Sequence, residues 1–255
     1  MEELTKLLDS YRERLSNEHK VTDEMLSKLH SVYPFNKFEY VISHLLADQL
    51  LSLDDYISIR EDYISRNKYL HLFEMAPRTF GETWGQQHIS ELVQELENPS
   101  KRLDPTYNGE YDFWYKGIKI EVKGSRGVDK DLKELPPIEK ALSYNSGHRF
   151  DMNFQQLKPR CCDVFVWFAV WKDRITYWVF KNDEVEKSPY FSHGQHRGNV
   201  GEGQLWITEK NIHDFDEWLV QPSQILTKII EKYNLPPYEE RVKQNITEIY
   251  KYMKK

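Results

Sequence analysis

The sequence predicts an α/β protein, with a central mixed β-sheet flanked by helices and helical extensions at both ends. Three observations predict it. "EYDFWYKGIKIEVKGSR" (Glu110–Arg126) sets a Lys-Gly turn between two strand-forming runs. "VFVWFAVW" (Val164–Trp171) is continuously apolar, as a strand covered on both faces would be. Helical periods stand before and after them, so helix, hairpin, crossover and buried strand follow one another as an α/β core requires.

Residues 1–78 read as helical. Leu4, Leu7, Leu8, Tyr11 and Leu15 keep helical spacing, and Phe35, Phe38, Val41, Ile42, Leu45, Leu46 and Leu50 do so again after Pro34. Asp54 or Asp55 is the expected cap of a third helix, carrying Tyr56, Ile59 and Tyr63.

Residues 79–221 read as the mixed core. "TFGETWGQQHISELVQELENP" is expected to be one helix ended by Asn98-Pro99, with Trp84, His88, Ile89, Leu92, Val93 and Leu96 inward. The hairpin follows, then the buried strand, then "ITYWVF" as its partner beyond a Lys172-Asp173 turn, then a short strand "GQLWIT". Residues 222–255 return to helix, in a stripe of Ile225, Leu226, Ile229 and Ile230 and another of Val242, Ile246, Ile249, Tyr250 and Met253.

Composition narrows the function. A chain of 255 residues with 39% hydrophobic content builds one sizeable core. It contains no apolar run of about eighteen residues and no signal-peptide pattern at Met1, so a cytoplasmic protein without a membrane partner is expected. Cys161 and Cys162 are adjacent, which strains a disulfide and leaves too few ligands for zinc. The net charge of −6 excludes a protein that coats nucleic acid. Charge is uneven, however. Residues 1–100 hold ten Lys and Arg against eighteen Asp and Glu, whereas residues 101–160 hold twelve against nine. The hairpin therefore lies in a basic segment of an acidic chain.

The hairpin also carries charge where apolar residues are expected. A two-residue turn at Lys116-Gly117 sets Tyr115 against Ile118, Trp114 against Lys119, Phe113 against Ile120 and Asp112 against Glu121. Strand alternation puts Glu121 and Lys123 on one face. Carboxylates opposed at roughly 4.5–5.5 Å between Cβ atoms repel unless a cation or a shared proton intervenes. Two carboxylates suit Mg²⁺, with Mn²⁺ as a substitute. An adjacent ammonium suits a metal-assisted hydrolysis of phosphodiesters, by orienting water or stabilising charge on phosphorus. The plainer alternative is a surface hairpin with a Glu–Lys pair.

"YDFWYKGIKIEVKGSR" resembles the motif of the PD-(D/E)XK nucleases, most of all type II restriction endonucleases. Asp112 matches the motif's Asp, Glu121 its second acid and Lys123 its Lys, with Tyr111 standing where Pro is usual. The resemblance covers about residues 79–210, including "FQQLKPRCCDVFVWFAVWKDRITYWVF" (Phe154–Phe180). It implies a restriction-endonuclease-like core and Mg²⁺-dependent cleavage of double-stranded DNA at a specific short sequence, leaving 5′-phosphate and 3′-OH ends. It implies Asp112, Glu121 and the carbonyl of Val122 as metal ligands, and Lys123 as the residue that positions or activates water. Glu82, on the preceding helix, can join them, or can be an exposed helix charge as Glu91 can.

Three stretches are candidates for DNA contact. Ser125 and Arg126 follow the motif directly. His148 and Arg149 lie in a loop. Ser192–Gln204 is glycine-rich and holds His193, Gln195, His196, Arg197 and Asn199, of which Gln, Asn and Arg suit base edges. That stretch reads equally as a flexible connection. Gln155 and Gln156 either touch the site or cover a polar helix face, with Lys158 and Arg160 just beyond them. A prokaryotic, homodimeric restriction enzyme is the expected reading. A structure-specific repair or recombination nuclease and a non-catalytic DNA-binding module are the alternatives.

Overall fold

Two strand-forming runs meet at Lys116 and Gly117, where both residues adopt left-handed backbone, with φ of 47° and 97°. That is the turn whose twist matches a two-residue hairpin. The computed structural model describes residues 2–19, 21–29, 31–193 and 202–244. It divides into two compact units, Met1–Asn67 and Lys68–Lys255.

The first unit is helical, with α1 (Glu2–His19), α2 (Asp23–Ser27), α3 (Glu39–Ala47) and α4 (Leu53–Arg66). Ser52, not Asp54 or Asp55, caps α4, its hydroxyl accepting the Asp55 N–H at 3.1 Å. Asp54 and Asp55 occupy the first turn instead, where they favour the positive end of the helix dipole. Buried Arg60 donates to the Lys28 carbonyl at 3.0 Å and lies over the ring of Phe35. The stripe Leu4, Leu7, Leu8, Tyr11 and Leu15 is helical as its spacing predicts, and it is exposed.

The second unit carries the sheets. Its strands are β1 (Phe113–Tyr115), β2 (Ile118–Arg126), β3 (Val128–Asp129), β4 (Phe150–Leu157), β5 (Val164–Val170), β6 (Ile175–Lys181), β7 (Phe191–His193), β8 (Gly203–Thr208) and β9 (Leu219–Val220). The first sheet runs β1-β2-β5-β6-β9 and is mixed, because β2 and β5 are parallel while the other pairs are antiparallel. All seven residues of β5 are buried, as its unbroken apolar run predicts. The expected hairpin, β6 and β8 all form.

Even-numbered residues of β2 and β5 face helices α5 (Gln86–Leu92) and α7 (Ile225–Asn234), where Ile120, Val122, Val166 and Phe168 pack with Ile89, Val93, Ile225 and Ile229. The odd-numbered residues of β5 face a second, antiparallel sheet in the order β3-β4-β8-β7, where Phe154 stacks on Trp167 at 4.2 Å. Sequence periodicity reads one sheet with helices on its faces, but the second sheet covers much of one face. Burying large side chains such as these contributes about 1.5–3 kcal/mol each.

Two expectations need correction. The helix expected over Thr79–Pro99 runs as a π-helical stretch, Thr79–Gly85, and then α5, ending at Leu92 rather than at Asn98-Pro99. Glu97 instead pairs with Trp114, exchanging both backbone hydrogen bonds at 2.8 and 2.9 Å, so this segment extends the sheet edge. Gln155 and Gln156 lie on strand β4, not on a helix face. The described part of the C-terminal region has α7 and a second helical stretch over 238–244, which holds Val242 of the expected second stripe, and Ile246, Ile249, Tyr250 and Met253 lie outside the described residues. Among the described residues no helix is long and apolar enough to cross a membrane.

Candidate active site

The hairpin pairs Phe113 with Ile120, Trp114 with Lys119 and Tyr115 with Ile118, which is the register that its turn predicts. The register does not continue to Asp112. Its N–H donates to the carbonyl of Ile120, already opposite Phe113, at 3.0 Å. The chain slips by one residue there, so Asp112 does not stand squarely across from Glu121. Its carboxylate turns along β2 instead, and Oδ2 accepts the Val122 N–H at 2.8 Å. The N–H and C=O of a strand residue face the same edge, so the Val122 carbonyl also opens on the side of Asp112.

A second hold on Asp112 comes from α5. Gln86 Nε2 donates to Asp112 Oδ1 at 2.6 Å. The helix approaches the strand this closely because two glycines leave room for one ring. A Cβ on Gly85 would stand 2.5 Å from Phe168, and one on Gly124 would stand 2.2 Å from it. The π-helical turn just before Gln86 shifts the helix face at this point, a feature frequent at functional sites.

Glu121 is buried and Lys123, two residues on, shares its face, with Nζ 2.6 Å from Glu121 Oε1. Asp112 and Glu121 lie close enough to interact directly. Burial pushes the Glu121 carboxyl up to about 7, and the charge of Asp112 adds to the rise against the opposing pull of Lys123. Burial likewise raises Asp112, against the Val122 hydrogen bond and Lys123. A half-buried and a buried carboxylate thus share the nearest lysine, and burial favours the protonated form of each.

Asp112 and Lys123 open on a cleft of about 620 Å³, and Glu121 lies behind them, outside its lining. Gln86, Asp112, Val122, Lys123, Ser125 and Arg126 line it, and β4 contributes Asn153, Gln155 and Gln156 from across the way. Ser125 is buried. Glu82 sits on the rim, where it pairs with Arg78 at 2.7 Å and adds its charge to the surroundings of Asp112. Glu91 is exposed and bonded to Gln87. Arg126 serves the fold. Its Nη1 donates to the carbonyls of Leu72, Phe73 and Met75 at 2.9–3.3 Å, and the guanidinium lies 4.6 Å over Phe80.

The other predicted contacts lie off the cleft wall. His148 is bonded to Asp129 at 2.9 Å and Arg149 to Asp131 at 3.1 Å. Lys158 pairs with Glu202 at 3.3 Å, and its charge still reaches Glu121. Arg160, largely exposed, stands 3.8 Å from Glu186. His193 is exposed on β7 against Phe191. Gln195, His196, Arg197 and Asn199 lie outside the described residues.

Gln86 and Asn153 were not anticipated. A signal for Gln86 existed, since it follows Glu82 by one helical turn on the same face. Asn153 had none, because its strand was not recognised.

Among the described residues no three His, Cys, Asp or Glu side chains form a metal-sized group. The donors at this site are two carboxylates and a carbonyl-bearing strand edge. That hard, all-oxygen set fits Mg²⁺, which commonly takes one or two carboxylates and completes its shell with water and substrate phosphate. No family model and no curated protein matches this chain.

Proposed function

We propose that the protein is a Mg²⁺-dependent endonuclease of double-stranded DNA, with a restriction-endonuclease-like core and specificity for a short sequence. The observation that carries this is the carboxylate pair, half-buried Asp112 and buried Glu121, with Lys123 at 2.6 Å from Glu121 and an open cleft in front of Asp112 and Lys123. A carboxylate pair short of one cation is costly, and a divalent ion removes that cost.

In this reading Asp112, Glu121 and the Val122 carbonyl would hold Mg²⁺ (or Mn²⁺). The bound ion would neutralise the phosphodiester and stabilise charge on its oxygens. Gln86 and the Val122 N–H fix the Asp112 carboxylate, so its orientation does not have to be organised when DNA arrives. Lys123 exchanges Glu121 for water or a phosphate oxygen, orienting the attacking water in line with the leaving 3′-oxygen. Water adds to phosphorus as the P–O3′ bond breaks, its proton passes to solvent, and the leaving O3′ takes up a proton from solvent, giving a 5′-phosphate and a 3′-OH. Glu82, on the rim, stands outside this set. A homodimer acting on a palindromic site follows from the symmetry of such targets, and sedimentation of the protein with and without DNA tests it.

The deciding experiment incubates the protein with phage DNA and Mg²⁺ beside Asp112→Ala. Discrete fragments from the wild type alone are expected. No cleavage with Mg²⁺ or Mn²⁺ would sink the proposal, and nicking confined to branched DNA would replace sequence specificity by structure specificity.

A further inference from the structure

Strand β4 pairs Phe154 with Leu205 and then Leu157 with Gly203, so β4 spends three steps where β8 spends two. The extra residue is a β-bulge. Gln156 within it has φ 53°, a left-handed conformation that a residue with a Cβ rarely adopts. Strand alternation would send Gln155 and Gln156 to opposite faces. The bulge lets both line the same cleft, exposed, across from Asp112 and Lys123. Asn153, on the same wall, bonds Gln204 through Nδ2 at 3.3 Å, while its Oδ1 is buried with no hydrogen-bond partner among the described residues.

Charge decides what this wall suits. The cations that line the cleft are engaged: Arg78 with Glu82, Lys123 with Glu121, and Arg126 with three carbonyls. The β4 wall offers only amides. An amide carries no charge to neutralise phosphate, and it presents a donor and an acceptor side by side, which matches the N6 and N7 edge of adenine. Bulges beside active sites commonly re-aim side chains, and backbone strain of this kind gathers where a side chain must be held in an unusual place.

We propose that the bulge of β4 is a base-reading element, in which Gln155 and Gln156 select adenine in the DNA next to the scissile phosphate. This rests on the nuclease reading, and its test reads binding rather than cleavage. Duplexes bound by Lys123→Ala protein are selected from a random pool with Mg²⁺ present, and the selection is repeated with Gln155→Ala, Gln156→Ala or Gln156→Gly added. The parent is expected to enrich a motif containing adenine. Each glutamine variant is expected to lose about 5- to 150-fold of the preference at one adenine position, the discrimination of one good bidentate pair. Replacing that adenine by 7-deazaadenine, which lacks N7, weakens the parent and leaves the variant unchanged. Gln156→Gly keeps the left-handed backbone and unfolds at a temperature no lower than its parent, so its loss of preference reports the side chain alone. Retention of the same motif by both alanine variants overturns the proposal. If the wild type cleaves DNA while that motif survives, the base-reading assignment fails alone. If it neither cleaves nor selects any duplex, the nuclease reading fails with it.

Discussion

Two buried acidic clusters in the second unit differ in one respect. At Glu184, on α6 (Asn182–Glu186), Oε1 accepts Lys232 at 2.8 Å and Arg241 at 2.7 Å, and Oε2 accepts the Lys181 N–H at 2.7 Å. At the hairpin, Asp112 and Glu121 share Lys123. Burial by itself raises both glutamates. Around Glu184 two cations overcome it, and the carboxyl ends below its ordinary value. Around Glu121, Lys123 serves two carboxylates, with only a weaker pull from Lys158, and the carboxyl rises to about 7. Arg241 Nη2 also donates to Asp183 Oδ1 at 2.8 Å, so the first cluster sets two carboxylates against two cations, and it pins α7 and the segment at Arg241 to the core. The second is short of positive charge, and the proposed Mg²⁺ site rests on that shortage.

The largest effect expected from this difference is on activity. Lys123→Ala should bind DNA and lower cleavage by about 10²–10⁴-fold, the range for removing a proton-transfer or water-orienting group. Unchanged single-turnover cleavage would remove Lys123 from the chemistry.

The balanced cluster should break in stability instead. Glu184→Ala leaves Lys232 buried without its partner and should cost about 3–5 kcal/mol in urea unfolding. Cleavage per folded molecule should stay as in wild type. A loss below about 1 kcal/mol would mean that Arg241 and Lys232 relax to solvent.

The unbalanced cluster should respond in the opposite sense. Glu121→Gln leaves Asp112 and Lys123 matched one to one, so without divalent metal it should be more stable than wild type at pH 8. The gain is at most about 3 kcal/mol, from 1.36 kcal/mol for each unit of the rise. The sign follows from proton uptake. A carboxyl raised from its ordinary 4.5 to about 7 binds its proton more tightly when folded, so its contribution is intact below pH 4.5 and is lost as pH rises to about 7. Glu184 works the other way, contributing above 4.5 and losing that contribution as pH falls through its depressed folded value. The stability gap between Glu121→Gln and wild type, measured in EDTA, should therefore widen from pH 5 to pH 8. Mg²⁺ should close it for wild type and leave Glu121→Gln unmoved. A gap that is flat with pH would show that Lys123 already neutralises the pair.

The smallest effect concerns Gln86. Gln86→Ala removes one charge-assisted hydrogen bond and should weaken Mg²⁺-dependent thermal stabilisation by about 1.5–3 kcal/mol. Gln86→Glu crowds a third carboxylate against Asp112 and should raise the Mg²⁺ dependence of unfolding further. Equal Mg²⁺ responses in all three proteins would make Gln86 a packing residue only.

What was legible from sequence was local. The Lys116-Gly117 turn and period-two alternation determined the hairpin register as far as Phe113, and with it the shared face of Glu121 and Lys123. The unbroken apolar run determined that β5 is covered on both faces. Each of these depends on a residue's own conformation and on neighbours within a turn. Tertiary structure decided the rest. Gln86 meets Asp112 from 26 residues away, through the space left by Gly85 and Gly124 around Phe168. Arg126, three residues from the motif lysine, was drawn to carbonyls more than fifty residues earlier. The second sheet placed Gln155 and Gln156 opposite the carboxylates. Periodicity tells which way a side chain points, but its partner depends on where the chain returns, and that is settled only when the distant surfaces pack.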